Sequence, residues 1–425
     1  MNTVINIITM YKYKVKSLTV LSIAVLAMSL DCPAQNVEFN KKNFKDDKKM
    51  FKEALKELQE GDDYYEVQRF TTALEHYKKA QEFNPDYAVL NFKVGKCYLR
   101  TINKVQSIQY LEKAYKLDPA VDPEIKYLLG QAYHLNYEFD KAITELKTYR
   151  SNIGIKDIKE SNARMAQVNK EIDECNTAKE LAAKPVRVFI DNLKIINSPY
   201  AEYSPLISAD ESVMIFTSRR NTTTGGGKDE GSDFEYFEDV YVSYNQHGEW
   251  TAPINVGTPI NSDEHDATVG LSPDGQQLFV YRFKMGDGGD IYQCELDGAN
   301  WSKPRQLGKN INTEYHESSA CFSNDGRTMY FVSDKVEGGM GGRDMYVARL
   351  DNPDAKIGSK RRWGTAFNLS TVLNTKYYEE GVFMHPDGKT LYFSSKGHNT
   401  MGGFDIFKSV FENGKWSAPE NLGYP

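Results

Sequence analysis

Internal repetition constrains this chain more than any other feature, because two unlike repeats occupy separate stretches of it. Asn84-Pro85 and Asp118-Pro119 lie 34 residues apart, and the residue types before each proline recur in step. Gly61 matches Gly95, Tyr64 matches Tyr98, Ala73 matches Ser107, Tyr77 matches Leu111, and Ala80 matches Ala114. A third copy, one residue out of phase, supplies Gly130, Tyr133, Ala142 and Leu146. This is the pattern of a helix hairpin. Small residues let two helices approach, the aromatic three positions on fills the gap, and proline ends the second helix. Residues 43–183 therefore read as three stacked helical hairpins, closed by an amphipathic capping helix over Ser161–Ala183.

After Lys184-Pro185 the sequence turns to alternating strands broken by Gly, Asp and Asn, and a longer repeat begins. Ser208-Ala209-Asp210-Glu211, Ser272-Pro273-Asp274-Gly275, Ser323-Asn324-Asp325-Gly326 and His385-Pro386-Asp387-Gly388 are tight-turn signals, each followed by an aromatic-rich strand. A triplet then recurs: Asp239-Val240-Tyr241, Asp290-Ile291-Tyr292, Asp344-Met345-Tyr346 and Asp405-Ile406-Phe407. All four tryptophans, Trp250, Trp301, Trp363 and Trp416, fall at one later repeat position. The turn aspartates are spaced 64, 51 and 62, with insertions near 221–237 and 351–362, so the basic unit is about 51 residues. Four short strands per unit predict β-propeller blades over residues 186–425. The expected fold is α plus all-β: an N-terminal α-solenoid followed by a propeller with four visible copies. Residues 186–198 resemble the end of a blade, and the strand they predict is expected to complete the ring. The sequence stops at Pro425 inside a segment that earlier copies continue as Ile260-Asn261-Ser262 or Ile311-Asn312-Thr313. A truncated form of a longer protein, with its ring open or strained, is therefore expected.

The 34-residue unit resembles the tetratricopeptide (TPR) repeat, for which three copies make a stable stack. The longer unit resembles the WD40-like PD40 repeats of TolB-type propellers. Their order, with Gly338-Gly339-Met340-Gly341-Gly342-Arg343-Asp344-Met345-Tyr346, is similar to the peptidoglycan-associated OmpA-family component of the type IX secretion system. That resemblance implies a periplasmic scaffold whose partners are envelope proteins, either outer-membrane or secretion-system components. Such relatives carry an OmpA-like module that grips cell-wall peptide; no OmpA-like stretch is present here, so peptidoglycan contact is not implied.

Residues 1–34 read as a secretory signal peptide. Lys12, Lys14 and Lys16 precede a 13-residue apolar run, Leu18 to Leu30, and small residues stand before Gln35. The run is too short to span a bilayer core of about 30 Å. Lipidation at Cys32 is disfavoured by Asp31 beside it. No second run of about 20 apolar residues follows, so no transmembrane span is expected and the chain is placed in the periplasm, peripheral to the outer membrane. The four later cysteines, Cys97, Cys175, Cys294 and Cys321, lack metal-finger spacing and read as small buried side chains. Net charge is −7, which argues against nucleic acid as a partner. Residues 35–185 carry 26 basic and 25 acidic side chains, whereas residues 186–425 carry 23 and 33. The negative field belongs to the propeller and favours basic partners.

Candidate residues fall in two groups. In a TPR stack the first helix of each repeat lines the groove, so alignment on the repeat glycines puts Asp62, Lys96 and Gln131 in one row. Tyr65, Leu99 and His134 form the next row. Lys96 and Arg100, four apart, are expected to share a helix face, either to grip a carboxylate of an extended peptide or to stand there as ordinary solvated charges. In the propeller, Glu202, Asp266, Glu317 and Glu379 each stand eight residues before a turn aspartate, with His265 and His316 just ahead of two of them. Around a channel mouth this set suits a cation or a basic side chain. The favoured alternative makes each carboxylate an acceptor of hydrogen bonds from the neighbouring blade. The glycine-rich loops precede strands, not helices, and read as hairpin loops, not phosphate cradles. No Gly-x-Ser-x-Gly elbow and no HExxH occurs, so no catalytic residue, no metal and no cofactor is expected.

Overall fold

The computed structural model describes residues 35–154, 157–208, 210–229, 234–272, 274–283, 289–352 and 362–425. The signal peptide with Cys32, the turn residues Ala209 and Pro273, and Gly286 and Gly288 lie outside the described residues. The first part is helical: α1 (Lys48–Glu66), α2 (Phe70–Phe83), α3 (Ala88–Tyr98), α4 (Ser107–Leu117), α5 (Ile125–Leu135), α6 (Phe139–Ser151) and α7 (Ile158–Ala182). Close approach within each hairpin explains the repeat glycines. A Cβ at Gly61 would stand 2.5 Å from the Tyr77 ring, one at Gly95 2.7 Å from Leu111, and one at Gly130 2.6 Å from Leu146. Tyr77, Leu111 and Leu146 are fully buried as a result. α7 adds Val168, Ile172, Cys175 and Ala178 to the core of the third hairpin.

Four antiparallel sheets follow. Their three long strands are Glu202–Ile207, Val213–Ser218 and Asp239–Gln246 in blade one, and Asp266–Leu271, Gln277–Arg282 and Asp290–Asp297 in blade two. Blade three has Glu317–Phe322, Thr328–Ser333 and Asp344–Arg349; blade four has Glu379–Met384, Thr390–Ser395 and Asp405–Glu412. The first strand of each blade packs on the first strand of the next, which makes it the innermost. Three of the triplet aspartates fix the loop before them. Asp239 accepts the Thr224 N–H, Asp344 those of Met340 and Gly341, and Asp405 that of Met401. The glycine-rich stretches described here are thus loops held by the aspartate that ends them. Trp250, Trp301, Trp363 and Trp416 each join an apolar cluster of the blades. The four later cysteines are buried thiols, and no Cys294–Cys321 bridge forms.

Adjacent blades are joined by one device used three times. Asn261 receives the Val240 N–H (2.9 Å) and donates to its carbonyl (2.9 Å). Asn312 does the same to Ile291, and Asn374 to Met345. Inner strands pack in the order one, two, three, four; blade four and blade one share no comparable packing among the described residues. The expectation that residues 186–198 supply a ring-closing strand is therefore corrected. That segment carries no strand; Val186 meets the end of blade four through its N–H to the Tyr424 carbonyl (2.7 Å), and Ile196 enters the core of blade one. The four blades form an open arc.

Candidate functional site

The helical stack leans its third repeat on the propeller. Nε2 of His134 lies 2.8 Å from the Met401 carbonyl oxygen, and the Met401 side chain packs into the helical core. Gly402 is needed there because a Cβ would come 2.8 Å from the His134 ring, and its φ of +134° is one that residues with a side chain rarely adopt. Tyr137 meets Tyr424 edge-on, Lys170 of α7 lies over the Tyr377 ring, and the Arg69 guanidinium lies 3.9 Å from the Phe234 ring centre.

This docking divides the sequence-predicted groove residues. In the third repeat, Gln131 donates to Tyr127 (2.9 Å) and to Glu171 of α7 (3.2 Å), and His134 is engaged by the propeller. Neither faces an empty groove. In the first two repeats, Asp62 accepts from Tyr77 (2.7 Å) and Lys93 (2.5 Å), and the Lys96 ammonium sits 5.2 Å from the Tyr65 ring centre. Leu99 packs against the core between repeats. The expected Lys96–Arg100 pair on one helix face is corrected: α3 ends at Tyr98, Leu99 is its C-cap, and Arg100 stands exposed in the following turn. Half-buried Asp62, Tyr65 and Lys96, with exposed Arg100, make a mixed-charge, aromatic floor at repeats one and two.

The propeller carboxylates do not ring the channel as free ligands. Glu379 accepts from the Thr375 N–H (3.0 Å), the Thr375 hydroxyl (2.8 Å) and Ser395 (2.7 Å), and Glu317 accepts equivalently from Thr313 and Ser333. Asp266 accepts from Ser262 and Arg282, and Glu202 from Ser198, Ser218 and Arg220. Asp266, Glu317 and Glu379 are wholly buried. The reading as a cation-binding ring is corrected: each acid ties the Asn-Ser/Thr turn before it to the second strand of its own blade. The donors come from that turn and that strand, not from the neighbouring blade. The Ser or Thr four residues ahead of every acid was the available signal. Burial is the first cause that lifts Glu317 from 4.5 to about 7, and the Asp290 charge adds to it against the donors.

The two histidines separate. His265 bonds Glu238, lies 3.6 Å from Asp229 and packs edge-on against Phe237, while Arg219 ties Glu238 and Glu235. His316 packs against Tyr281, and burial lowers its pKa. Arg343 pairs with Glu380 nearby. A small cavity of about 90 Å³ on blade three is lined by Lys309, Lys335, Thr313, Ser333 and Tyr346 among others. Sequence reasoning did not single out Glu57, Glu60 and His76, which gather across the α1–α2 hairpin. His76 there bonds Glu57 (2.7 Å), while Lys79 and Lys56 balance the carboxylates. It serves as an ion-paired helix contact.

A family model described as TPR repeat matches residues 61–101, from the last turns of α1 through α2 to the turn after α3. No curated protein matches the chain. Among solved structures, TolB from Acinetobacter baumannii is 14% identical over 54% of this chain and 46% of its own, with a TM-score of 0.32. The β-propeller domain of the Trilobed protease from Pyrococcus furiosus is 9% identical over 53% and 57%, with a TM-score of 0.29. A putative 6-phosphogluconolactonase from Bacteroides fragilis is 11% identical over 53% and 56%, also at 0.29. The chain spans less than two thirds of the length of each. Likenesses this remote carry no activity over to it.

Proposed function

We propose that this protein is a non-catalytic scaffold that holds protein partners through the groove of its first two helical repeats. Its place is the periplasm, peripheral to the outer membrane, in type IX secretion or cell-envelope organisation. The observation that carries the reading is the division of the groove. The third repeat is spent on holding the propeller, which fixes the two parts together, while Tyr65, Lys96 and Arg100 are left for another chain. TPR repeats suggest protein partners, and no helix among the described residues is long and apolar enough to cross a membrane. The acidic propeller adds a second face for basic partners. The rival, a small ligand, glycan or metal ion recognised at the channel mouth, loses its donors because the four carboxylates are bound within the blades.

A pull-down from envelope extract, run beside thermal shifts with calcium and with glycans, separates the two. Membrane-protein partners that bind the purified chain directly support the scaffold. A calcium- or glycan-dependent rise in melting temperature without protein partners supports the rival.

A further inference from the structure

In three of the four blades a guanidinium or imidazole lies against the triplet aromatic residue and closes on the carbonyl of the Ile or Leu that precedes the repeat asparagine. Arg220 in blade one donates to the Ile196 carbonyl (2.8 Å), to Ser218 (2.9 Å) and to Glu202 (2.9 Å). Its guanidinium lies 4.9 Å from the Tyr241 ring centre and 5.7 Å from that of Phe216. Arg282 in blade two donates to the Ile260 carbonyl (2.6 Å) and to Asp266 (2.6 Å), and lies over Tyr292. His398 in blade four has Nε2 2.9 Å from the Leu373 carbonyl oxygen and packs on Phe393 and Phe407.

Blade three keeps every partner that Arg220 has. Glu317 and Ser333 pair across its first two strands as Glu202 and Ser218 do in blade one. Phe331 and Tyr346 pair across the next two as Phe216 and Tyr241 do, and Ile311 stands for Ile196. The residue at the place of Arg220 is Lys335. Its ammonium makes no hydrogen bond, ion pair or ring contact among the described residues, and the Ile311 carbonyl takes no hydrogen bond from them. Here lies the cavity of about 90 Å³, lined by Phe331, Ser333 and Tyr346, the counterparts of three residues around Arg220. Glu317 has capacity for a further donor, since Glu202 accepts from the Ser198 N–H and hydroxyl, from Ser218 and from Arg220 at once.

We propose that this cavity receives the guanidinium of an arginine from a partner protein, held as Arg220 is held within blade one. A guanidinium suits the set because it is planar, stacks on aromatic faces and sends N–H groups to a carboxylate and a carbonyl together. Lys309 and Lys335 also line the cavity, with no carboxylate of this chain paired to them among the described residues, and they favour an arginine flanked by an acidic group. The inference deepens the propeller part of the proposed scaffold and rests on that reading only for the partner being a protein.

Titration calorimetry of the full chain with N-acetylarginine, which carries a guanidinium and a carboxylate, tests the site without any partner protein, so its outcome is separate from that of the groove. At pH 8, above the value of about 7 to which burial lifts Glu317, N-acetylarginine is expected to bind at least tenfold more tightly than N-acetylcitrulline, whose urea has a similar shape and no charge. Lys335→Arg should abolish that preference and raise the melting temperature, since the substituted side chain takes the place that Arg220 takes in blade one. Equal binding of the two probes, or a preference that Lys335→Arg leaves unchanged, would overturn the proposal. Binding by a Lys335→Ala chain with none by the parent would overturn it as well, by showing that the Lys335 ammonium itself closes the cavity.

Discussion

A buried carboxylate decides at the residue scale what kind of position the repeat acids are. Glu317 is lifted to about 7, so between about 4.5 and 7 the folded chain holds a proton there that the unfolded chain releases. Its contribution to stability is therefore fully present below about 4.5 and is lost as pH rises through about 7. The contribution is on the order of 3 kcal/mol at most. Glu317→Gln should flatten that slope: urea unfolding at pH 5 and pH 8 should show the variant losing less stability on going to pH 8 than the parent does. An unchanged slope would mean that the three donors hold Glu317 ionised throughout. The repeat position of the acids was legible in the sequence, because four copies agree. Their inward direction was not, since it depends on a strand and a turn that meet only after folding.

Within the elements, the repeat glycines and the asparagine clamps make opposite demands on space. Gly130→Ala would press a methyl group against Leu146 in a packed hairpin, an overpacking cost of roughly 1–3 kcal/mol by chemical denaturation. A gain in stability instead, as helix propensity alone would give, would show that α5 and α6 can move apart. Asn312→Ala leaves the N–H and carbonyl of Ile291 buried without their partner, at a cost of about 2–4 kcal/mol. Asn197→Ala should cost close to nothing by the same measurement, since its amide reaches only Asn192 and clamps no strand. The helix hairpins were readable from the 34-residue spacing because their packing is local. The end of α3 was not: nothing in Lys96-Cys97-Tyr98-Leu99-Arg100 marks a stop, and the helix gives way only where the chain must turn toward α4. The clamp asparagines were visible only as part of a recurring segment, because their partners lie 21 to 29 residues back on another blade.

For the whole molecule, the two repeat systems were legible and their mutual contact was not. His134 stood out as a groove residue by alignment, yet a carbonyl 267 residues away takes it, a pairing that no periodicity encodes. Although Arg69 of the first repeat also meets Phe234 of the propeller, Tyr65, Lys96 and Arg100 make no such contact among the described residues, and they are the centre of the account. The direct test is retention of envelope partners by the full chain against its Lys96→Glu/Arg100→Glu form, with far-UV dichroism to verify that the helices persist. The account predicts that the charge reversal abolishes retention of those proteins with the helical signal intact. Retention of the same proteins at parental levels would contradict it, and would move the binding surface to the acidic propeller.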